Sequence, residues 1–170
     1  IVWASVFLYN LVADLGAVEV IGRGLASMSG DQVGKGLLIG WALSGFIQGV
    51  TGFGVPVAVV APLMVMAGFP LTTSVVAVLV GHAWAVTFGS IGSSFYAIQL
   101  VTGISGPDIG PPMAALFALP TVATGFAVAH IVGGMAGVRR SAGMVLAVGA
   151  VMSAVVWAVA WAGAPQVAAA

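Results

Sequence analysis

Apolar residues run through most of the chain in stretches too long for the elements of a water-soluble domain. No charged residue occurs between Gly36 and Gly68, and none between Leu71 and Ile104. The runs are continuous and do not alternate every second residue, which disfavours a transmembrane barrel. We therefore predict an all-α polytopic membrane protein, with the lipid bilayer as its surroundings.

Each of these two runs is too long to cross a bilayer once. As one straight helix, the run from Gly36 to Gly68 would measure about 50 Å, whereas the hydrocarbon core is about 30 Å thick. In the first run, glycines at positions 49, 52 and 54 precede Pro56 and predict a break. In the second run, the stretch TFGSIGSSF predicts another, at Thr87–Phe95. The transmembrane helices thus include two discontinuous segments, broken or re-entrant, within residues 33–68 and 71–104.

The other elements follow from shorter patterns. An apolar stripe at helical spacing predicts an interfacial helix over residues 14–28, after a span that ends within residues 1–13. The glycines and prolines of residues 105–112 predict a loop, and Gly133–Arg140 a short turn. Two ordinary spans are predicted at residues 113–132 and 141–162. Under the positive-inside rule, Arg23 and Lys35 should share a side of the membrane with Arg139 and Arg140.

Composition narrows the class of protein further. Hydrophobic residues make up 61% of the 170 and charged residues only 5%, against about 25% in soluble domains. The formal net charge is zero, so no basic surface indicates nucleic acid as a partner. No cysteine, metal-ligand spacing, nucleotide-binding loop or GxSxG motif occurs, so we expect neither an enzyme nor a cofactor or metal. The apolar run already under way at Ile1 leads us to expect a fragment of a longer protein.

Broken helices inside a membrane need a reason, because lipid cannot satisfy their unpaired backbone groups. A half-helix beginning near Val55 would aim free N–H groups at the turn Thr51–Gly54, which favours an anion. In secondary transporters such points hold the substrate. No charged residue lies between Gly36 and Pro107. A bound carboxylate would therefore depend on backbone dipoles and on the polar side chains Gln48, Thr51, His82, Ser90, Ser93 and Ser94. The alternative is that the glycines only allow close helix packing.

His82 is an ionisable residue within an apolar run, which makes it a functional candidate. An equally weighted interpretation is a neutral imidazole bonded to a neighbouring helix. The tryptophans, Trp84 among them, are interpreted as packing or interfacial-belt residues.

The sequence GFIQGVTGFGVPVAVVAPLMVMAGFPLTTSVVAVLVGHAWAVTFGSIG resembles the lactate permease family of bacterial and archaeal carboxylate transporters. The matching pieces are Gly49 with Thr51–Ala58, then Gly68–Pro70, then Val86–Gly92. Weaker similarity covers nearly all of the chain. Members of the family are much longer, so the chain resembles a piece of their amino-terminal half.

The resemblance implies proton-coupled uptake of small 2-hydroxy monocarboxylates, such as lactate or glycolate, across the cytoplasmic membrane. It places the substrate-binding candidates on the matched motifs and beside them: Gln48, Gly49, Thr51, Gly52, Phe53, Gly54, Ser90, Gly92 and Ser93. Two departures bear on coupling. Gln48 stands where the family pattern leads us to expect glutamate, and His82-Ala83 where it leads us to expect asparagine-threonine. Gln48 cannot carry a proton, so His82 has that role, or another ion is used, or the coupling group lies elsewhere in the longer protein.

Two other functions remain open at this point. The chain could be a non-transporting membrane subunit whose glycines serve helix packing, or a transporter of another organic anion with different ion coupling. The transporter hypothesis predicts that the breaks around Gly52–Pro56 and Gly89–Ser93 meet at similar depth.

Overall fold

The computed structural model describes residues 14, 16, 20, 24, 31–52, 54–164 and 168. The predicted span end at residues 1–13 lies outside the described residues. So does the predicted interfacial helix at residues 14–28, apart from four isolated positions, and so does Phe53. Within the described part of the chain every regular element is helical, and the predicted all-α membrane fold is confirmed.

The first span is a continuous helical rod of 20 residues, Gln32–Thr51. It consists of α1 (Gln32–Leu37), a π-helical segment (Leu38–Leu43) and α2 (Ser44–Thr51). The remaining elements follow in chain order: α3 (Val55–Met66), α4 (Leu71–Gly81), a 3₁₀ turn (Ala83–Ala85), α5 (Gly89–Thr102) and α6 (Gly106–Trp161).

Helix α6 is a hairpin of two antiparallel limbs. Its backbone leaves the helical region at Gly134, with φ 61° and ψ −160°. A Cβ atom on Gly125 would lie 2.9 Å from Val145, and one on Gly149 would lie 2.9 Å from Val122. These pairs are symmetric about Gly134, so the first limb (106–133) and the second limb (135–161) run in opposite directions. Each limb is about 40 Å long at 1.5 Å per residue, enough to cross a bilayer.

The predicted loop at residues 105–112 is wrong, because α6 already begins at Gly106. Ser105 is the N-cap, and its hydroxyl donates a hydrogen bond of 2.5 Å to Asp108. Pro107 stands in the first turn, where helices do not need an N–H donor. The two prolines at 111 and 112 deprive the carbonyls of Pro107 and Asp108 of helical partners. Both of those residues are exposed, so solvent can satisfy the carbonyls. The turn predicted at Gly133–Arg140 is shorter in the structure. Only Gly134 leaves the helical conformation, and the helix resumes directly after it.

The first span forms the centre of the bundle. Trp41 is 1% exposed and fills the space above the glycines of the α6 hairpin at positions 125 and 149. On another side, Gly40 lies close to Met64 of α3 and Ala77 of α4. Gly81 of α4 packs directly on the Gly40 carbonyl, where no Cβ atom would fit. Close backbone approach at these glycines therefore brings α3, α4 and α6 against the first span.

The described basic residues Lys35, Arg139 and Arg140 lie at one end of the bundle, together with Asp31. Arg140 Nη1 donates a hydrogen bond of 2.9 Å to Asp31 Oδ1, just before α1 begins. This hydrogen bond is the main reason why the pKa of Asp31 lies below its ordinary value. Val33 packs against Gly133 at the same end, so Lys35 and Arg139 lie near the α6 turn as well. Lys35, Arg139 and Arg140, which the positive-inside rule expects on one side of the membrane, thus lie at the same end of the bundle.

Candidate functional site at the meeting of two helix breaks

The first break follows α2 and depends on two glycines. Gly52 has φ 93° and Gly54 has φ 85°, values that side-chain-bearing residues rarely adopt. Helix α3 begins at Val55, and no side chain caps it. Its amino-terminal backbone amides, and with them the positive end of the helix dipole, therefore lie at this turn. The break predicted at the glycines before Pro56 is confirmed.

The second break interrupts the run from α4 to α5. The segments Leu71–Ala85 and Gly89–Thr102 are bent by 49° relative to each other. Ser90, Ile91 and Gly92 all have left-handed backbone angles, with φ of 55°, 53° and 75°. Left-handed geometry costs about 1–2 kcal/mol for each non-glycine residue, so this turn is strained. The break was predicted within Thr87–Phe95; it begins earlier, where α4 ends at Gly81.

The two breaks pack against each other. Gly45, Gln48 and Gly52 recur at spacings of three and four residues, which puts them on one face of the first span. That face contacts the second break at three points. A Cβ atom on Gly45 would collide with the Trp84 ring, and one on Gly52 would collide with the Ser90 hydroxyl. A Cβ atom on Gly89 would lie 2.9 Å from the Gln48 carbonyl oxygen. The expected meeting of the breaks at similar depth is confirmed.

Three polar side chains at this contact have buried atoms without a hydrogen-bond partner. They are Gln48, through both Oε1 and Nε2, Trp84, through Nε1, and Ser90, through Oγ. We call these three residues the polar crossing. Gln48 is 0% exposed and Trp84 is 6% exposed. A buried unpaired polar group costs about 1–3 kcal/mol, and most such groups in proteins have a partner, which can be water or a ligand. The polar crossing is therefore a candidate site for a small polar ligand, because it brings together buried polar groups that still need partners.

The other candidate residues from the sequence analysis differ in their burial and in their hydrogen bonds. Gly49 and Gly92 are buried, whereas Gly54 is exposed. The Thr51 hydroxyl donates to the Ile47 carbonyl at 2.6 Å, so it is occupied within its own helix. Ser93 is exposed. The structure thus brings together Gln48, Gly52 and Ser90 from the two motifs, and their role in binding stays a prediction.

Trp84 is the residue of this site that the sequence analysis missed. It was interpreted as a packing or belt residue, and its contact with Gly45 depends on how two distant segments meet. The signal available in the sequence was an indole N–H, placed in an uncharged run just before the predicted break.

His82 directly follows α4 as its C-cap residue and is partly buried. Its Nδ1 lies 2.6 Å from the Val78 carbonyl oxygen. A carbonyl only accepts hydrogen bonds, so Nδ1 carries a proton in this contact and Nε2 is the ring nitrogen left to gain or lose one. This bond lies within its own helix, whereas the alternative interpretation expected a neighbouring one.

Two apolar grooves run beside the second limb of α6. One of about 250 Å³ is bordered by Leu37, Trp41 and Met144. The other, of about 290 Å³, is bordered by Phe46, Trp84 and Val155 among others. Trp84 therefore contributes to both the polar crossing and a groove.

Long apolar helices, two interrupted segments and buried polar groups where those segments meet define a multi-pass membrane protein of the broken-helix type found among secondary transporters. The sequence profile of the L-lactate permease family matches residues 1–169. The chain belongs to this family, and it is a multi-pass protein of the cell membrane.

Individual relatives agree with this assignment. The chain is 31% identical to the L-lactate permease of Escherichia coli K12 over 83% of its residues, covering 26% of that protein. It is 34% identical to the L-lactate permease of Bacillus subtilis 168 over 64% of its residues, covering 19% of that protein. It is 30% identical to the glycolate permease GlcA of E. coli K12 over 83% of its residues, covering 25%. The chain thus spans about a quarter of the length of these relatives. No solved structure shows a significant match.

Proposed function

We propose that this chain is part of a secondary transporter that carries small monocarboxylates of the lactate or glycolate type. Membership of the L-lactate permease family supports this proposal, as do the relatives named L-lactate permease and glycolate permease. The observation that carries it is the polar crossing, where buried and unpaired polar groups lie at the meeting of two helix breaks.

The chemistry of the polar crossing suits a 2-hydroxy acid. A carboxylate only accepts hydrogen bonds, and Gln48 Nε2 and Ser90 Oγ can donate to it. Gln48 Oε1 only accepts, so a ligand that satisfies it must bring a donor. The hydroxyl group next to the carboxylate of lactate or glycolate is such a donor. The nearby backbone amides that begin α3 add a positive dipole end without a cation.

Proton coupling is part of the proposal, and His82 is its candidate group in this chain. The Gln48 amide does not ionise at physiological pH, so it cannot exchange the proton. The bond from His82 Nδ1 to Val78 leaves Nε2 to take up and release one. An ionisable residue within a membrane span is a candidate for such a proton relay.

The test uses the full-length protein in sealed vesicles. Uptake of labelled lactate and glycolate is measured with and without an imposed pH gradient, in the wild type and in a His82→Ala variant. The exposed His130, replaced by alanine, is the control. We expect uptake driven by the gradient and lost only in His82→Ala. Uptake that does not depend on the gradient would contradict proton coupling but would still support a transporter of these acids. No uptake of either acid would contradict the proposed substrates.

A second candidate, a membrane subunit that does not transport, is favoured by the close glycine packing. Gly45, Gly81 and Gly125 each lie against a neighbouring segment with no room for a Cβ atom. This candidate does not explain why the polar groups of Gln48 and Ser90 are buried without partners. It would gain support if the full-length protein failed to move any of a broad panel of organic acids.

A further inference from the structure

We infer that Trp84 is a substrate-binding residue whose indole N–H donates a hydrogen bond to the carboxylate of the transported acid. This inference rests on the proposed function and adds to the site a residue that the sequence motifs do not mark. Trp84 is 6% exposed, and its Nε1 is buried without a hydrogen-bond partner. An indole N–H can only donate, so the group needs an acceptor.

The position of Trp84 follows from its contact with Gly45. A Cβ atom on Gly45 would lie 2.7 Å from Trp84 Nε1, so the nitrogen edge of the ring rests on the glycine backbone. Gly45 and Gln48 are three residues apart, about one turn, on the same face of the first span. Long side chains on a helix lean toward its amino terminus, which directs the Gln48 amide back toward the turn of Gly45. A Cβ atom on Gly89 would lie 3.3 Å from Gln48 Nε2, so Trp84 and Gln48 both line the contact between the first span and the second break.

The ligand chemistry fits an anion held without a cation. A carboxylate has two oxygens that each accept hydrogen bonds, and bonds to an ionised acceptor are about twice as strong as neutral ones. No lysine or arginine lies between Gly36 and Pro107, so these bonds come from neutral donors on this chain. Trp84 Nε1 and Gln48 Nε2 are two such donors at the contact between the first span and the second break. Trp41 Nε1 is also buried without a partner, but its ring packs on Gly125 and Gly149 of α6, whereas Trp84 packs on the face that carries Gln48.

The experiment compares Trp84→Phe with Trp157→Phe in the full-length transporter, reconstituted at matched amounts. Trp157 is 46% exposed and stacks on Trp161 in the second limb of α6, away from the polar crossing. For each protein, KM and Vmax are measured for labelled lactate, together with the competition by propionate, which has a carboxylate but no 2-hydroxyl group.

We expect Trp84→Phe to raise KM for lactate about tenfold, the loss typical of one hydrogen bond to a charged group. The variant should weaken competition by propionate by a similar factor, because both acids present a carboxylate. Trp157→Phe should leave both values at the wild-type level. An unchanged KM for lactate in Trp84→Phe would overturn the inference, and so would a loss of Vmax without a change in KM.

A second variant keeps the test decisive if Trp84→Phe does not fold. Gly45→Ala places a methyl group against the nitrogen edge of the Trp84 ring and displaces it from the opposite helix. Its control is Gly143→Ala, because a Cβ atom there meets nothing within 4 Å. A raised KM is expected only in Gly45→Ala. If the wild type transports lactate and Gly45→Ala has an unchanged KM, the inference fails and the proposed function stands. If the wild type transports neither lactate nor glycolate, both fail.

Discussion

Gly52 lies against the side chain of Ser90 so closely that a Cβ atom on the glycine would occupy the position of the serine hydroxyl. This contact joins the two helix breaks. Two features require glycine at position 52. Its φ of 93° disfavours any residue with a side chain, and the Ser90 side chain leaves no space for a Cβ atom. The nearby Gly54 has φ 85° with open space around it, so only its backbone conformation favours glycine.

We therefore expect Gly52→Ala to be more harmful than Gly54→Ala. Gly54→Ala strains a left-handed backbone by about 1–2 kcal/mol. Gly52, with φ 93° and ψ −166°, lies in a region essentially restricted to glycine, where the cost is about 1–3 kcal/mol, and its collision typically adds about 1–3 kcal/mol. Thermal unfolding of the purified full-length protein and lactate uptake in vesicles measure the two effects. Equal loss in the two variants would show that the contact with Ser90 contributes nothing. Partial rescue of Gly52→Ala by Ser90→Gly would locate the effect in this contact.

Gln48→Leu should reduce transport without reducing stability. Leucine has a similar size and removes two polar atoms that have no partner in the described structure. Replacing unpaired buried polar groups by apolar ones relieves a cost of about 1–3 kcal/mol. We expect an unchanged or raised unfolding temperature together with a loss of lactate uptake of at least tenfold. Gln32→Leu, at the exposed start of α1, is the control. A destabilised Gln48→Leu with normal KM would show that the amide is structural.

Gly81→Ala tests packing at a distance from the polar crossing. A Cβ atom on Gly81 would collide with the Gly40 carbonyl, and rigid backbone cannot move aside as a side chain can. The expected loss is about 1–3 kcal/mol in the free energy of unfolding. The control Gly143→Ala sits on an exposed helical position and should instead gain about 0.5–1 kcal/mol. Unfolding temperatures in the same detergent compare the two. A Gly81→Ala protein as stable as the wild type would contradict the close contact between α4 and the first span.

The pair Asp31–Arg140 predicts a weak pH dependence of stability. The hydrogen bond from Arg140 lowers the pKa of Asp31 below its usual value of 3.8. A depressed pKa means that the contribution is fully present above the unfolded value and is lost as the pH falls through the folded one. Both side chains are largely exposed, so the effect should be small.

Arg140→Gln should therefore lower the unfolding temperature slightly at pH 7 and have progressively less effect as the pH falls below 3.8, where the contribution of the pair is lost. Arg139→Gln is the matched control, because the neighbouring Arg139 is also exposed. A difference between wild type and Arg140→Gln that stayed constant from pH 7 to pH 3 would contradict this assignment.

The sequence predicted the features that local residues determine. Continuous apolar runs predicted the membrane class, and glycines before Pro56 predicted the first break, because positive φ angles and missing N–H groups are properties of single residues. The left-handed geometry of Ser90 and Ile91 could not be predicted, since neither residue favours it and the surrounding packing imposes it.

Two other differences have a similar origin. Trp84 joins the site only through Gly45, a contact between segments about forty residues apart in the sequence. The prolines at 107, 111 and 112 indicated a loop by their residue type. They are accommodated in α6 because they lie near its exposed start, where solvent replaces the lost helical bonds. Tertiary position, rather than residue type, decided both cases.

The lack of charged residues from Gly36 to Pro107 has an electrical consequence. Under the proposed function, this stretch supplies no fixed charge to offset a bound carboxylate, so the balancing charge comes from a cation carried with it or from the rest of the longer protein. In a cell with a negative interior, moving the carboxylate's negative charge inward is opposed by about 2.3 kcal/mol for each 100 mV that it crosses. One proton carried with each anion makes the occupied carrier neutral and indifferent to voltage, whereas two protons make it positive and voltage-driven. For the proposed proton-coupled uptake, the response of uptake to membrane potential at fixed pH therefore measures the net charge moved with each anion.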